Sequence, residues 1–150
     1  MTLAHISLTA RDADRLAAFY ETVFGCRDRR PRTTLSGPRV GRGNGLPGSE
    51  IYSIWLSLPG VEAPFLELHQ YLSPRRPGQR PQVGTPGFGH LAFTVADLDE
   101  TLQTVLGAGG AALGEIAEFG PADAPTRIAY VRDPEGNILE LEQRHRGGSH

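Results

Sequence analysis

The sequence predicts an α+β fold built from two tandem β-α-β-β-β halves, and three observations predict it. The segment HISLTARDADRLAAFYETVFG, starting at His5, matches GHLAFTVADLDETLQTVLGAGG in spacing: His5 with His90, Thr9 with Thr94, Asp12 with Asp97, Asp14 with Asp99 and Gly25 with Gly110, every pair 85 positions apart. Each copy reads as a strand, then an aspartate suited to capping a helix, then a helix ending near glycine. After each helix come stretches with the two-residue alternation of strands.

Taken in order, the first strand sets Ile6 and Leu8 on one face and His5, Ser7 and Thr9 on the other. The first helix spans about Asp14 to Phe24, with Leu16, Phe19, Tyr20 and Val23 at helical spacing. Residues 35–50, with glycine at 37, 41, 43, 45 and 48, read as a mobile loop. Strands follow at Glu50–Leu58 and Ala63–Tyr71. The run SPRRPGQRPQVGTPG, residues 73–87, makes a poor helix and a poor central strand and reads as a linker. It separates a module of about 1–72 from one of about 88–144 within a single domain. In the second module a strand from His90 precedes a helix over about Asp99–Leu106, and strands follow at Ala111–Phe119, Arg127–Arg132 and Ile138–Gln143. Before the last of these, Asp133-Pro134-Glu135-Gly136 has turn chemistry.

A chain of 150 residues buries one respectable core, and a formal charge of -2 with no acidic or basic tail shows neither a nucleic-acid nor a membrane-surface footprint. The start MTLAHISLTA lacks a basic segment leading into an apolar one, and no apolar run approaches membrane-spanning length, so the expectation is a soluble, cytoplasmic protein. Cys26 is the one cysteine, which excludes an internal disulfide and a cysteine-based zinc cluster and reads as a small buried residue after the first helix. His145 and His150, in the polar end RHRGGSH, read as part of a frayed tail and are set aside from any site.

Alternation also separates chemistry from core. Leu66 and Leu68 oppose Phe65, Glu67, His69 and Tyr71; Leu91, Phe93 and Val95 oppose His90, Ala92 and Thr94; Leu139 and Leu141 oppose Ile138, Glu140 and Glu142. Four strands thus have an aliphatic face and a second face bearing His or Glu. If the halves curl into one sheet, His5, Glu67, His90 and Glu140 converge in its hollow. Two imidazoles and two carboxylates suit a divalent cation and leave places for water or a chelating substrate. Taken singly, each of the four reads first as a polar residue on the outer side of a half-buried sheet; the equivalent histidines of the two repeats bring the cation reading level with that one and spacing takes it no further.

These segments resemble the vicinal oxygen chelate superfamily, which includes glyoxalase I, methylmalonyl-CoA epimerase, extradiol dioxygenases and the fosfomycin and bleomycin resistance proteins. The resemblance runs from HISLTARDADRLAAFYETVFG through GFGHLAFTVADLDE to DPEGNILELEQ. It implies paired β-α-β-β-β modules forming a cupped mixed sheet around a metal, with His5, Glu67 in FLELH, His90 in GFGHLAF and Glu140 in NILEL as ligands. His69, two residues past Glu67 on the same face, is the alternative inner ligand. The resemblance further implies a small-molecule substrate with vicinal oxygens, a nickel, cobalt, zinc or manganese ion, and Glu140 and Glu67 as proton carriers in a glyoxalase I-like isomerase. It leaves open an epimerase of an acyl thioester, an extradiol-type dioxygenase using iron(II), addition of a thiol or water to an epoxide, and a metal-free protein that sequesters an antibiotic. No stretch marks a glutathione or coenzyme A pocket. Arg39 and Arg42 in the glycine-rich loop are candidates to clamp a carboxylate or phosphate, and Trp55, Phe65 and Tyr71 are candidates to line the pocket. Open sheet edges predict a homodimer, with modules paired within one chain or exchanged between two.

Overall fold

The computed structural model describes residues 1–145, in two compact units that divide between Gln79 and Arg80. The first unit runs β1 (His5–Thr9), α1 (Ala13–Phe24), β2 (Arg27–Asp28), β3 (Thr33–Leu35), α2 (Pro38–Asn44), β4 (Glu50–Ser57) and β5 (Phe65–Ser73). The second runs β6 (Leu91–Thr94), α3 (Leu98–Gly107), β7 (Ala111–Ala112), β8 (Ala117–Phe119), β9 (Thr126–Arg132) and β10 (Ile138–Gln143). Their sheets have the same plan. In the first the order is β1-β5-β4-β2 with β3 also on β4; in the second it is β6-β10-β9-β7 with β8 also on β9. The opening strand of each unit pairs in parallel with its last strand, and the other pairings are antiparallel. The fold is α+β, two tandem β-α-β-β-β modules.

The helices begin where aspartate can cap them. Asp12 and Asp97 are both extended, and their side chains accept from the amides of Arg15 and Glu100 at 3.0 Å. A second tie anchors each start: Gln70 Oε1 accepts from the Ala13 amide at 2.9 Å, and Gln143 Oε1 from the Leu98 amide at 2.7 Å. Each glutamine sits near the end of the unit's last strand, so the strand supplies an acceptor for an amide that the first helical turn leaves free. Helix α1 ends at Gly25, whose φ of 72° is left-handed backbone that glycine adopts without strain.

Alternation sorts the faces as expected. Leu16, Ala17, Phe19 and Tyr20 of α1 are buried, as are Ile54 and Leu56 of β4 and Leu66 and Leu68 of β5 beneath it. In the second unit Leu98 and Val105 of α3 are buried with Val131, Leu139 and Leu141. Each of the buried leucine, isoleucine, valine and phenylalanine side chains contributes about 1.5–3 kcal/mol through removal from water. Cys26 is buried, at 2% exposure.

Three expectations need correction. Residues 38–44 form helix α2 in place of a loop, opened by Pro38 at the first turn and closed by Gly45. Gly41 is buried there, and a Cβ on it would meet Leu46 O and Pro47 Cα at 2.9 Å, so the glycine serves close packing. The strand expected over 111–119 is two short strands, β7 and β8, broken around Gly114. The connection after α1 carries β2 and β3, which sequence alternation did not reveal. His150 lies outside the described residues. Among the described residues no helix is long and apolar enough to cross a membrane.

Candidate functional site

On the first unit's sheet, the face away from α1 carries His5 from β1 and Phe65, Glu67, His69 and Tyr71 from β5. Strand register decides their company. Ser7 lies beside Glu67 and Thr9 beside His69 on one side; Trp55 lies beside Glu67 and Ser53 beside His69 on the other. The Trp55 indole N–H donates to Glu67 Oε2 at 3.0 Å. Glu67 Oε1 faces two imidazoles, with His69 Nε2 at 3.2 Å and His5 Nε2 at 3.7 Å. The carboxylate is largely buried, its side chain 13% exposed, whereas His5 stands more open at 42%.

His69 Nε2 is buried and makes no hydrogen bond, although Glu67 Oε1 lies 3.2 Å away. Burial holds the His69 imidazole below the ordinary histidine range; the Glu67 charge opposes this, and His5 and Arg30 add to it. A neutral imidazole has a lone pair to give.

The second unit repeats the arrangement. His90, just ahead of β6, places Nε2 3.0 Å from Glu140 Oε2 on β10. Glu140 is the buried member, with its side chain 11% exposed. Tyr130 lies opposite Glu140 across the β9–β10 ladder, where Trp55 lies opposite Glu67 in the first unit. Hydrogen bonding to Glu140, then burial, raises the Tyr130 hydroxyl pKa, so the phenol stays protonated. Its ring meets the His90 ring edge-on, with centroids 5.2 Å apart.

Each unit therefore joins an imidazole nitrogen and a carboxylate oxygen at 3.2 Å or 3.0 Å. Two neighbouring ligands of one octahedral ion, with bonds of about 2.1 Å, sit about 3.0 Å apart. The orphaned nitrogen of His69, the nitrogen and oxygen donor types and these spacings fit a divalent cation. As the side chains stand, no group of three or more His, Cys, Asp or Glu among the described residues is arranged to hold one, so each unit offers donors rather than a finished shell.

Other candidates fared differently. Trp55 and Phe65 belong to this face, with ring centroids 4.6 Å apart, and Tyr71 meets His69 edge-on at 6.4 Å. Arg39 and Arg42 lie exposed on α2. Trp55 and Tyr130 as carboxylate partners, and Arg30 over Trp55 with its guanidinium carbon 3.4 Å from the ring centroid, are neighbours of the candidate residues that alternation alone does not assign.

Comparison with known proteins agrees with this plan. The chain is 40% identical over 62 residues to a protein of Vibrio parahaemolyticus named probable lactoylglutathione lyase, a match covering 41% of this chain and 42% of that protein. The matched stretch thus spans less than half the length of that curated relative. A crystal structure of a glyoxalase family protein from Bacillus cereus superposes with a TM-score of 0.87 at 22% identity, covering 97% of this chain and 95% of that one. A fosfomycin resistance protein from Listeria monocytogenes, crystallised as a mutant with Mn(II) and dihydroxypropylphosphonic acid, superposes with a TM-score of 0.58 at 16% identity, covering 95% and 92%. At these identities the solved structures speak for the fold. The duplicated module and the match of residues 2–141 to the family profile identify the chain as a member of the Glyoxalase/Bleomycin resistance protein/Dioxygenase superfamily.

Proposed function

We propose that the protein is a metal-dependent enzyme of this superfamily, a glyoxalase I-like lyase or isomerase that moves a proton next to a carbonyl of a small molecule with vicinal oxygens. The observation that carries the reading is the repeated trio of imidazole, buried carboxylate and aromatic donor, His5–Glu67–Trp55 in one unit and His90–Glu140–Tyr130 in the other. The name of the partly matching Vibrio relative supports the reaction class.

In this reading His5, Glu67, His90 and Glu140 hold a divalent ion, with His69 next in line to Glu67. A divalent ion held there would supply Lewis-acid polarisation of substrate oxygens. The chain's own residues do the rest. Trp55 fixes Glu67 by one oxygen, leaving Oε1 to accept and return a proton. Tyr130, held protonated, steadies Glu140 for the same task. The aromatic rings of Trp55, Phe65 and Tyr71 bound the face and exclude water from it. A cytoplasmic homodimer completes the proposal, and the buried, unpaired Cys26 suits a reducing compartment.

Elemental analysis of the purified protein beside His5→Ala, His90→Ala and Glu140→Ala tests the proposal. About one divalent ion per chain is expected, lost in each variant while circular dichroism shows the fold intact. No ion after reconstitution with nickel, cobalt, zinc or manganese would leave a ligand-sequestering protein as the better description.

A further inference from the structure

The connection between β2 and β3 is unusual in its arginines. Arg29 is clamped by Glu62, with 2.6 Å to the carboxylate and 2.8 Å to the backbone carbonyl. Arg32 is clamped by Asp14, Glu21 and Asp28 at 2.7 to 3.1 Å. Between these two anchors stands Arg30, half-buried, with no acidic partner among the described residues. Its Nε is buried without a hydrogen-bond partner, and its one bond, from Nη2 to Ser53 Oγ, is long at 3.4 Å. The other half-buried or buried arginines all have firm acceptors: Arg127 has Asp99, and Arg132 has the carbonyls of Pro81 and Gly136.

Two neighbours position this guanidinium. Its central carbon sits 3.4 Å from the ring centroid of Trp55, whose N–H holds Glu67, and Nη2 reaches Ser53, which lies beside His69 across the ladder. A guanidinium has five donors in a planar fork suited to carboxylate and phosphate oxygens. Here the fork is kept in place by stacking and by its anchored neighbours, and it is left without the anion such forks normally find.

We infer that Arg30 is the anion-recognition residue of this face, binding an oxyanion group, carboxylate or phosphonate, carried by the small-molecule substrate beside Glu67 and His69. The inference rests on the proposed reading of this face as the active site and narrows its substrate class to anionic compounds. Arg30 sets orientation, since a substrate gripped there by its charged end presents the adjacent oxygens to the Glu67 side of the site.

Trp55, the one tryptophan in the chain, lies under the guanidinium and reports on it by fluorescence. The test titrates EDTA-treated protein with acetate, methylphosphonate and uncharged acetamide. Wild type is expected to respond saturably to at least one anion and not to acetamide, and whichever anion binds identifies the source of the oxyanion. Arg30→Gln is expected to weaken that binding by about tenfold or more, and Arg30→Lys to retain part of it, because an ammonium keeps the charge without the fork. Arg76→Gln, changed at an exposed position of the segment after β5, is expected to titrate like wild type. If Arg30→Gln loses its circular dichroism signal, Arg30→Lys alone decides. Equal response to acetamide, no response to either anion, or wild-type titration by the Arg30 variants would overturn the assignment. Because the ion is stripped in this experiment, a protein that binds no metal but still needs Arg30 for the anion defeats the metal reading and not this one.

Discussion

Trp55 and Glu67 face each other across the β4–β5 ladder and are joined by a 3.0 Å hydrogen bond from the indole to Oε2. That bond orients a carboxylate that also faces two imidazoles, so its loss should be felt in ligation and not in folding. Trp55→Phe keeps an aromatic ring over Phe65 and removes the donor. We expect metal affinity to fall by about 10- to 100-fold, the usual penalty for losing an outer-shell partner, while the thermal midpoint moves little. Isothermal titration with the preferred ion checks this, and unchanged affinity would show that Glu67 needs no orienting partner.

Gln70 in the second half of β5 and Gln143 at the end of β10 make a matched pair of predictions. Gln70→Leu and Gln143→Leu each strip the acceptor from a helix-opening amide, Ala13 or Leu98. Each should cost about 1–2 kcal/mol in urea unfolding, in line with the loss of a cap or a part-buried hydrogen bond. Two variants as stable as the wild type would mean that water replaces the side chain at no cost.

Leu141 is fully buried on β10, on the face opposite Glu140. Leu141→Ala should destabilise by about 2–5 kcal/mol, the range for a buried leucine replaced by alanine. Denaturant unfolding measures it. A loss well under 1 kcal/mol would mean that this side of the sheet collapses around the cavity.

Cys26 yields a prediction in pH. Burial first, and the Glu21 charge second, push its thiol up to about 11. The thiolate is the reactive form, so at pH 8 only about one molecule in a thousand should be ready to react, against about one in four in the unfolded chain, whose thiol titrates at about 8.5. Alkylation by iodoacetamide should be slow in the native protein, rise about tenfold per pH unit between 8 and 10, and become rapid in urea. Fast labelling of the folded protein at pH 8 would contradict this burial.

Much of this arrangement is written in spacing. His5 with His90 and Asp12 with Asp97 share one offset, and the capping geometry at both aspartates is the same. Strand alternation correctly separated Glu67 and Glu140 from the leucines beside them. What stayed hidden depends on register. Nothing local says that Trp55 meets Glu67 or that Tyr130 meets Glu140, since the pairing of two strands is fixed by turns and packing. Arg30 was hidden differently: CRDRRPR, residues 26–32, looks like a solvated charge run, and only the placement of carboxylates on Arg29 and Arg32 singles out its middle arginine. Helix α2 escaped notice because GPRVGRGNG has poor helix propensity, with glycines that serve packing and termination.

The sheet plan of the first unit bears on how the chain emerges from the ribosome. Among the described residues β1 pairs only with β5, so the first strand waits, edges open, until the chain has grown past residue 73. Closing so long a loop is slow compared with forming a hairpin. Translation adds about 5–20 residues per second, so several seconds pass between completion of β5 and of β10. The first sheet thus has its full set of partners while the second is still being made, and strands of like sequence meet one at a time. In a duplicated protein that timing favours correct over crossed pairing.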